Sequence, residues 1–185
     1  MRQRVLITGA AGNIGRSLRA GLRGHYPVLR LLDVTPQQAA EPGEEVLTVD
    51  LNDRLATQAA MEDVDAVIHL AAVASEAPFD EILSGNITTT YSLFEAARQA
   101  DVRRVVFAST NHVIGFYPRS ETVGPDAPVR PDTFYGVSKV FGEALGRLYV
   151  DKSGLEVVCL RIGSFAERPT TTRRTSACRA ASNTE

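Results

Sequence analysis

Arg4-Val5-Leu6-Ile7-Thr8-Gly9-Ala10-Ala11-Gly12-Asn13-Ile14-Gly15 is the stretch that decides how this chain folds. A short apolar, β-branched run that stops at a glycine reads as a buried strand. The segment behind it, 13–24, carries Ile14, Leu18 and Leu22 at four-residue spacing, which predicts a helix with one apolar face. Between them lies GxxGxxG, formed by Gly9, Gly12 and Gly15 with Asn13 and Ile14 at the helix start. Glycine at such a junction lets the turn adopt positive φ and brings backbone close to a pyrophosphate. The helix N–H groups and dipole then receive the negative charge. A triple-glycine string alone marks only a tight turn; its place between strand and helix gives it chemical meaning.

Working outward, the alternation repeats. Strands are expected over 28–32, 45–49, 66–71, 103–108 and 155–162, and helices over 51–61, 80–100 and 134–150. Strands buried on both faces read as near-continuous apolar runs, as these do. Strand–helix alternation of this kind builds an α/β fold: a doubly wound parallel sheet of Rossmann type in three αβα layers. Two segments break the rhythm. The stretch 115–133 is rich in Pro, Gly and charge, the composition of a functional loop. The last segment, 166–185, is Thr, Arg, Ser and Ala without period and too apolar-poor to fold alone. The chain thus divides into a dinucleotide-binding domain, 1–165, and an irregular tail, 166–185.

Composition narrows the class. In 185 residues, 44% hydrophobic and 23% charged, the formal net charge is −2, so neither nucleic acid nor an anionic membrane is an expected partner. No apolar run approaches a membrane span, and Val5-Leu6-Ile7 is too short for a secretory leader. A cytoplasmic protein is expected. Cys159 and Cys178 form neither a disulfide framework nor a metal site, and Cys159, within Val157-Val158-Cys159-Leu160, reads as a small buried thiol. His69, inside a strand, reads as a core residue.

Several side chains point to chemistry. Asp33 ends the second strand about 20 residues beyond the glycine loop, where a carboxylate accepts both adenosine ribose hydroxyls and repels a 2′-phosphate. That favours NAD over NADP; Arg30 falls within the strand. Asp50 and Leu51 end the third strand beside an adenine pocket, and Ala71 and Ala72 end the fourth with side chains small enough for a ribose to lie close. Tyr135-Gly136-Val137-Ser138-Lys139 is YxxxK at a helix start, which sets the phenol and the ammonium on one face. A phenol with its usual pKa near 10 is no base at neutral pH, and a nearby fixed cation is expected to lower it. Lys139 is one of only two lysines, the other being Lys152. Ser109-Thr110-Asn111-His112 follows the fifth strand, at the end of the sheet where ligands sit.

These residues jointly resemble the extended short-chain dehydrogenase/reductase, or NAD-dependent epimerase/dehydratase, family. The resemblance implies Tyr135 as base, Lys139 as its activator and Thr110 as the hydroxyl that orients substrate, with NAD as cofactor. A narrower likeness, carried by the segment 107–118, by Leu160-Arg161-Ile162-Gly163-Ser164 and by Pro169 and Arg173, is to the uronate dehydrogenase branch. It implies that Asn111, His112, Ser164, Arg173 and Ser75 hold a sugar acid, whose carboxylate an arginine fork binds bidentately. The implied reaction is oxidation of galacturonate or glucuronate at the anomeric carbon to an aldarolactone, by a homo-oligomer paired through its long helices. The run from Arg173 to Cys178 departs from the apolar continuation of that branch and reads as truncated or frame-shifted, so the resemblance implies a C-terminal substrate lobe largely absent, with 166–185 as its remnant. Two other readings stand beside this one: a sugar-nucleotide epimerase or dehydratase with the same triad, and a non-catalytic NAD-binding fragment.

Overall fold

The computed structural model describes residues 4–165. Six parallel strands, β1 (Arg4–Thr8), β2 (Val28–Asp33), β3 (Glu44–Thr48), β4 (Ala66–His69), β5 (Arg104–Thr110) and β6 (Glu156–Ile162), form one sheet in the order β3-β2-β1-β4-β5-β6. Helices α1 (Asn13–Leu22), α2 (Arg54–Ala60), α3 (Phe79–Ile82), α4 (Thr89–Gln99) and α5 (Phe134–Ser153) connect them. The strand order reverses between β1 and β4, and in sheets of this type the crevice for a ligand opens there.

Strand parity sorts the core into two layers. Leu6, Leu32, Val67, Val105 and Phe107 pack with Leu93, Phe94 and Tyr149 beneath α2, α4 and α5. Val5, Ile7, Leu29 and Leu31 face the other way, toward Leu18 and Leu22 of α1. Doubly wound layering is therefore as the periodicity predicts on the β2–β1 half. On β6, Val158 and Leu160 remain 45% and 48% exposed, so this strand is not the buried run expected of it. Cys159 is exposed rather than buried. Among the described residues its strand lies at the sheet's outer edge, and α5 packs most closely one strand inward, where Gly142 leaves no room for a Cβ against the Phe107 ring.

The helix expected over 80–100 is interrupted. A π-helical turn, Leu83–Thr88, joins α3 to α4. The extra residue turns the Asn86 amide inward, where it accepts from the Val73 N–H at 2.7 Å and donates to the Val73 carbonyl at 3.1 Å and to Ser138 Oγ at 3.0 Å. Single π turns inside helices mark functional sites. Strand β5 runs two residues beyond expectation because β6 pairs with Ser109 and Thr110. The 115–133 loop is closed at its neck: Phe116 donates to the Arg130 carbonyl at 3.0 Å, and Arg130 to the Val113 carbonyl at 2.8 Å.

Candidate active site

At the carboxyl ends of the strands lies a cleft of about 860 Å³. Its floor begins at the glycine loop. Gly9 sits at φ +69°, and a Cβ there would lie 2.7 Å from the Ala71 nitrogen, so loop and β4 backbone touch. Gly15 is equally confined: a Cβ would lie 2.6 Å from Ala10 Cα. Helix α1 starts at Gly12 with no side-chain cap and no acidic residue in its first turn, so its N–H groups and positive dipole end stay open to an anion.

Asp33 is buried at the end of β2. One carboxylate oxygen accepts from Ala11 N–H and the other from Thr35 N–H, both at 2.9 Å. Two further lone pairs stay available, since a carboxylate offers about four acceptor sites. Arg30 points elsewhere: its guanidinium donates to Glu45 at 2.7 Å and to the Ala60 and Glu62 carbonyls. Of the residues expected from sequence, Gly9, Gly12, Asn13, Ile14, Gly15, Asp33, Asp50, Leu51, Ala71 and Ala72 all line this cleft, as do Thr110, Asn111, His112, Tyr135 and Lys139. Ser75 and Ser164 are exposed and not part of its wall. Arg173 lies outside the described residues.

The reactive groups converge where β5 and α5 meet. Thr110 is buried and caps the turn Asn111–Ile114, accepting from His112 N–H at 3.2 Å. Tyr135 enters on the first turn of α5, whose start Thr133 caps by accepting from Gly136 N–H at 2.9 Å. Burial raises the Tyr135 phenol above its ordinary pKa, and the Thr110 hydroxyl pulls it back in part. This corrects the expectation of a phenol held low by Lys139. The ammonium stands 5.6 Å from the Tyr135 ring and 4.9 Å from the Phe107 ring. It is only 3% exposed, and burial lowers its own pKa to about 8. Among the described residues its Nζ has no hydrogen-bond acceptor. A polar group so placed beside a cleft asks for a partner there.

Residues that sequence reasoning missed support this centre from behind. Buried Ser109 donates to Glu143 Oε1 at 2.6 Å, and Arg161 grips the same carboxylate at 2.9 and 2.8 Å. This joins β5, α5 and β6 just below Thr110 and Lys139. Ser138 Oγ donates to the Tyr135 carbonyl at 2.7 Å while accepting from Asn86. Asp132 accepts from His112 Nδ1 at 2.8 Å. The pair Gly85-Asn86 within a helical run is a weak helix former and was a legible signal; the partners of Asp132 and Glu143 left none. His69 is fully buried, as expected, between Thr8 at 2.7 Å and Thr90 at 3.4 Å.

Residues 5–178 match the NAD dependent epimerase/dehydratase family. The chain belongs to that family. It is 48% identical over 167 residues to uronate dehydrogenase of Pseudomonas putida, covering 90% of this chain and 62% of that protein. The crystal structure of uronate dehydrogenase from Agrobacterium tumefaciens superposes with a TM-score of 0.87 at 48% identity, over 90% of this chain and 63% of that one. A mutant of the same enzyme complexed with NAD gives 0.86 at 49% identity, over 88% and 61%. The chain therefore spans about three fifths of the length of these family members.

Proposed function

We propose that this chain is the dinucleotide-binding part of an NAD-dependent dehydrogenase that oxidises a hexuronic acid at its anomeric carbon. The observation that carries the reading is the meeting of Tyr135, Lys139 and Thr110 in the same cleft as the glycine loop and Asp33. The residues fit NAD: a glycine path with no room for a Cβ at Gly9 or Gly15, an uncapped helix start, a buried carboxylate with spare acceptors and a buried ammonium without one. The loop from Gly9 to Gly15 would hold the pyrophosphate and Asp33 the adenosine ribose. Asp50, Leu51, Ala71 and Ala72 would border the adenine and riboses, and Lys139 would take the nicotinamide ribose. When bound, NAD supplies the acceptor for the hydride that leaves the anomeric carbon, so that a lactone forms.

The chain's own residues do the rest. Thr110 orients the anomeric hydroxyl by hydrogen bonding. Tyr135, as phenolate, accepts that hydroxyl's proton, with the Thr110 hydroxyl offsetting part of what burial adds to the cost of the anion. Asn111 and His112 stand at the cleft wall to hold the sugar, joined in this proposal by Arg173. The relatives named uronate dehydrogenase support the substrate class. Among the described residues no helix is long and apolar enough to cross a membrane, in keeping with action in the cytoplasm. Phe79, Leu83, Phe134 and Val137 are exposed together on the helical flank, with the Phe79 and Phe134 rings 5.6 Å apart. We infer that two copies pair through this face, and a monomer by light scattering overturns that.

The test is absorbance at 340 nm with NAD and galacturonate or glucuronate, beside a Tyr135→Phe control. NADH formation abolished by the substitution upholds the proposal. Calorimetric NAD binding without turnover leaves a cofactor-binding module and refutes catalysis by this chain; turnover of a uridine diphosphate sugar instead identifies an epimerase.

A further inference from the structure

The loop 115–133 does more than span a gap: it delivers one carboxylate to a histidine of the cleft wall. Its two ends are tied together by the Phe116–Arg130 and Arg130–Val113 backbone bonds, and Tyr117 Oη donates to the Pro128 carbonyl at 3.0 Å. Beyond this neck Asp132 turns in beside Gly115, where a Cβ would overlap its carboxylate. It meets His112 Nδ1 at 2.8 Å. The His112 ring stands edge-on to Tyr135 at 6.0 Å between centroids, and it lines the cleft. Its Nε2 has no hydrogen-bond partner among the described residues.

From this geometry we infer that Asp132 is a positioning residue that locks His112 in the Nδ1–H tautomer and so presents Nε2 to the cleft as an acceptor for a sugar hydroxyl. A carboxylate offers only acceptors, so the hydrogen shared between Asp132 and His112 must sit on the imidazole Nδ1. A neutral ring with Nδ1 protonated has a bare lone pair at Nε2. An imidazole without such a partner divides between tautomers and rotates, so Nε2 no longer faces the cleft reliably as an acceptor. The hydroxyl's identity rests on the uronate reading above; the tautomer does not.

The experiment uses the full chain labelled with 15N-histidine and long-range 15N–1H correlation spectra, which report the tautomer of each of its three imidazoles. Loss of one set of signals in His112→Gln assigns His112. The expected result is Nδ1–H for His112 in the parent protein and a shift toward Nε2–H in Asp132→Ala. In Asp132→Asn the amide oxygen still accepts, so the tautomer holds. With galacturonate and saturating NAD, KM rises by about tenfold in Asp132→Ala, the equilibrium worth of one oriented hydrogen bond. kcat and NAD affinity stay near the parent values, and Asp132→Asn recovers most of the loss. Nε2–H in the parent, or an unchanged tautomer in Asp132→Ala, overturns the inference. So does an unchanged KM in an active protein. The tautomer is read without turnover. A protein that oxidised no uronate, yet lost the Nδ1–H form in Asp132→Ala, would uphold the lock and refute the uronate reading.

Discussion

Replacing Lys139 by methionine should stabilise the protein while abolishing the proposed NADH formation. The side chain is 3% exposed, and burial lowers its pKa from 10.5 to about 8. At about 1.36 kcal/mol per pH unit, holding this ammonium charged in the folded state costs roughly 3 kcal/mol. Its contacts with the Phe107 and Tyr135 rings at 4.9 and 5.6 Å offset about 1 kcal/mol of that by cation–π attraction. Methionine matches the length and keeps the apolar packing without the charge. About 2 kcal/mol should therefore be recovered at pH 7, a rise in Tm of roughly 4–8 °C for a domain of this size. The sign with pH follows from proton counting. Below about 8 both states are protonated and the cost is complete. Between 8 and 10.5 only the unfolded chain keeps the proton, so wild-type stability climbs with pH and the variant's advantage closes. The assay is calorimetric Tm of both proteins without NAD at pH 7 and pH 10, with NADH formation measured in parallel and expected to fall by at least about a hundredfold. A variant less stable than wild type at pH 7, or a gap that persists at pH 10, would refute the account of an uncompensated buried charge.

His69 gives the opposite limb. Burial first, and the Lys139 charge second, lower its pKa from 6.5 to about 3, so between those values the unfolded chain binds the extra proton and stability falls as pH drops. Unfolding free energies from urea titrations at pH 7 and pH 4.5 should differ by up to about 3 kcal/mol more in wild type than in His69→Gln; equal differences sink the assignment. Glu143→Ala strips Arg161 and Ser109 of their shared acceptor and should cost about 2 kcal/mol in denaturant unfolding, with Glu143→Gln intermediate. Glu143 lies below the usual carboxylate range: burial pushes it up, but Arg161 and Ser109 together outweigh that. Its contribution is therefore present above about pH 4.5 and is lost as pH falls through the lowered value. Gly9→Ala places a methyl 2.7 Å from the Ala71 nitrogen at a φ of +69°, a conformational cost of about 1–2 kcal/mol before any clash. NAD affinity by calorimetry should drop more than tenfold with the far-ultraviolet spectrum unchanged; retained affinity would mean that the loop has slack.

The glycine loop, Asp33 and the Tyr135–Lys139 pair at one cleft were legible in the sequence because each rests on short-range geometry. Glycine φ, the strand-to-helix junction and the four-residue helical repeat are local properties, and they survive whatever surrounds them. The alternation of apolar runs with helical periods likewise implied a parallel sheet, since no other arrangement buries both faces of so many short strands. Other features waited for packing. That Lys139 is buried against Phe107 rather than solvated, and that the Tyr135 phenol is raised rather than lowered, depend on how closely α5 lies on β5. Gly142 allows that approach, but only the Phe107 ring beneath it shows why. Cys159 carries the same apolar neighbours as a core residue and is exposed because β6 is an outer strand, which strand order alone decides. The partnerships of His112 with Asp132, of Ser109 with Glu143 and of Arg161 with Glu143 join residues 20, 34 and 18 positions apart. Periodicity has no reach over such distances. Hydrogen bonds between polar side chains on separate elements are set by the tertiary structure, because only the docking of those elements brings the donor to its acceptor.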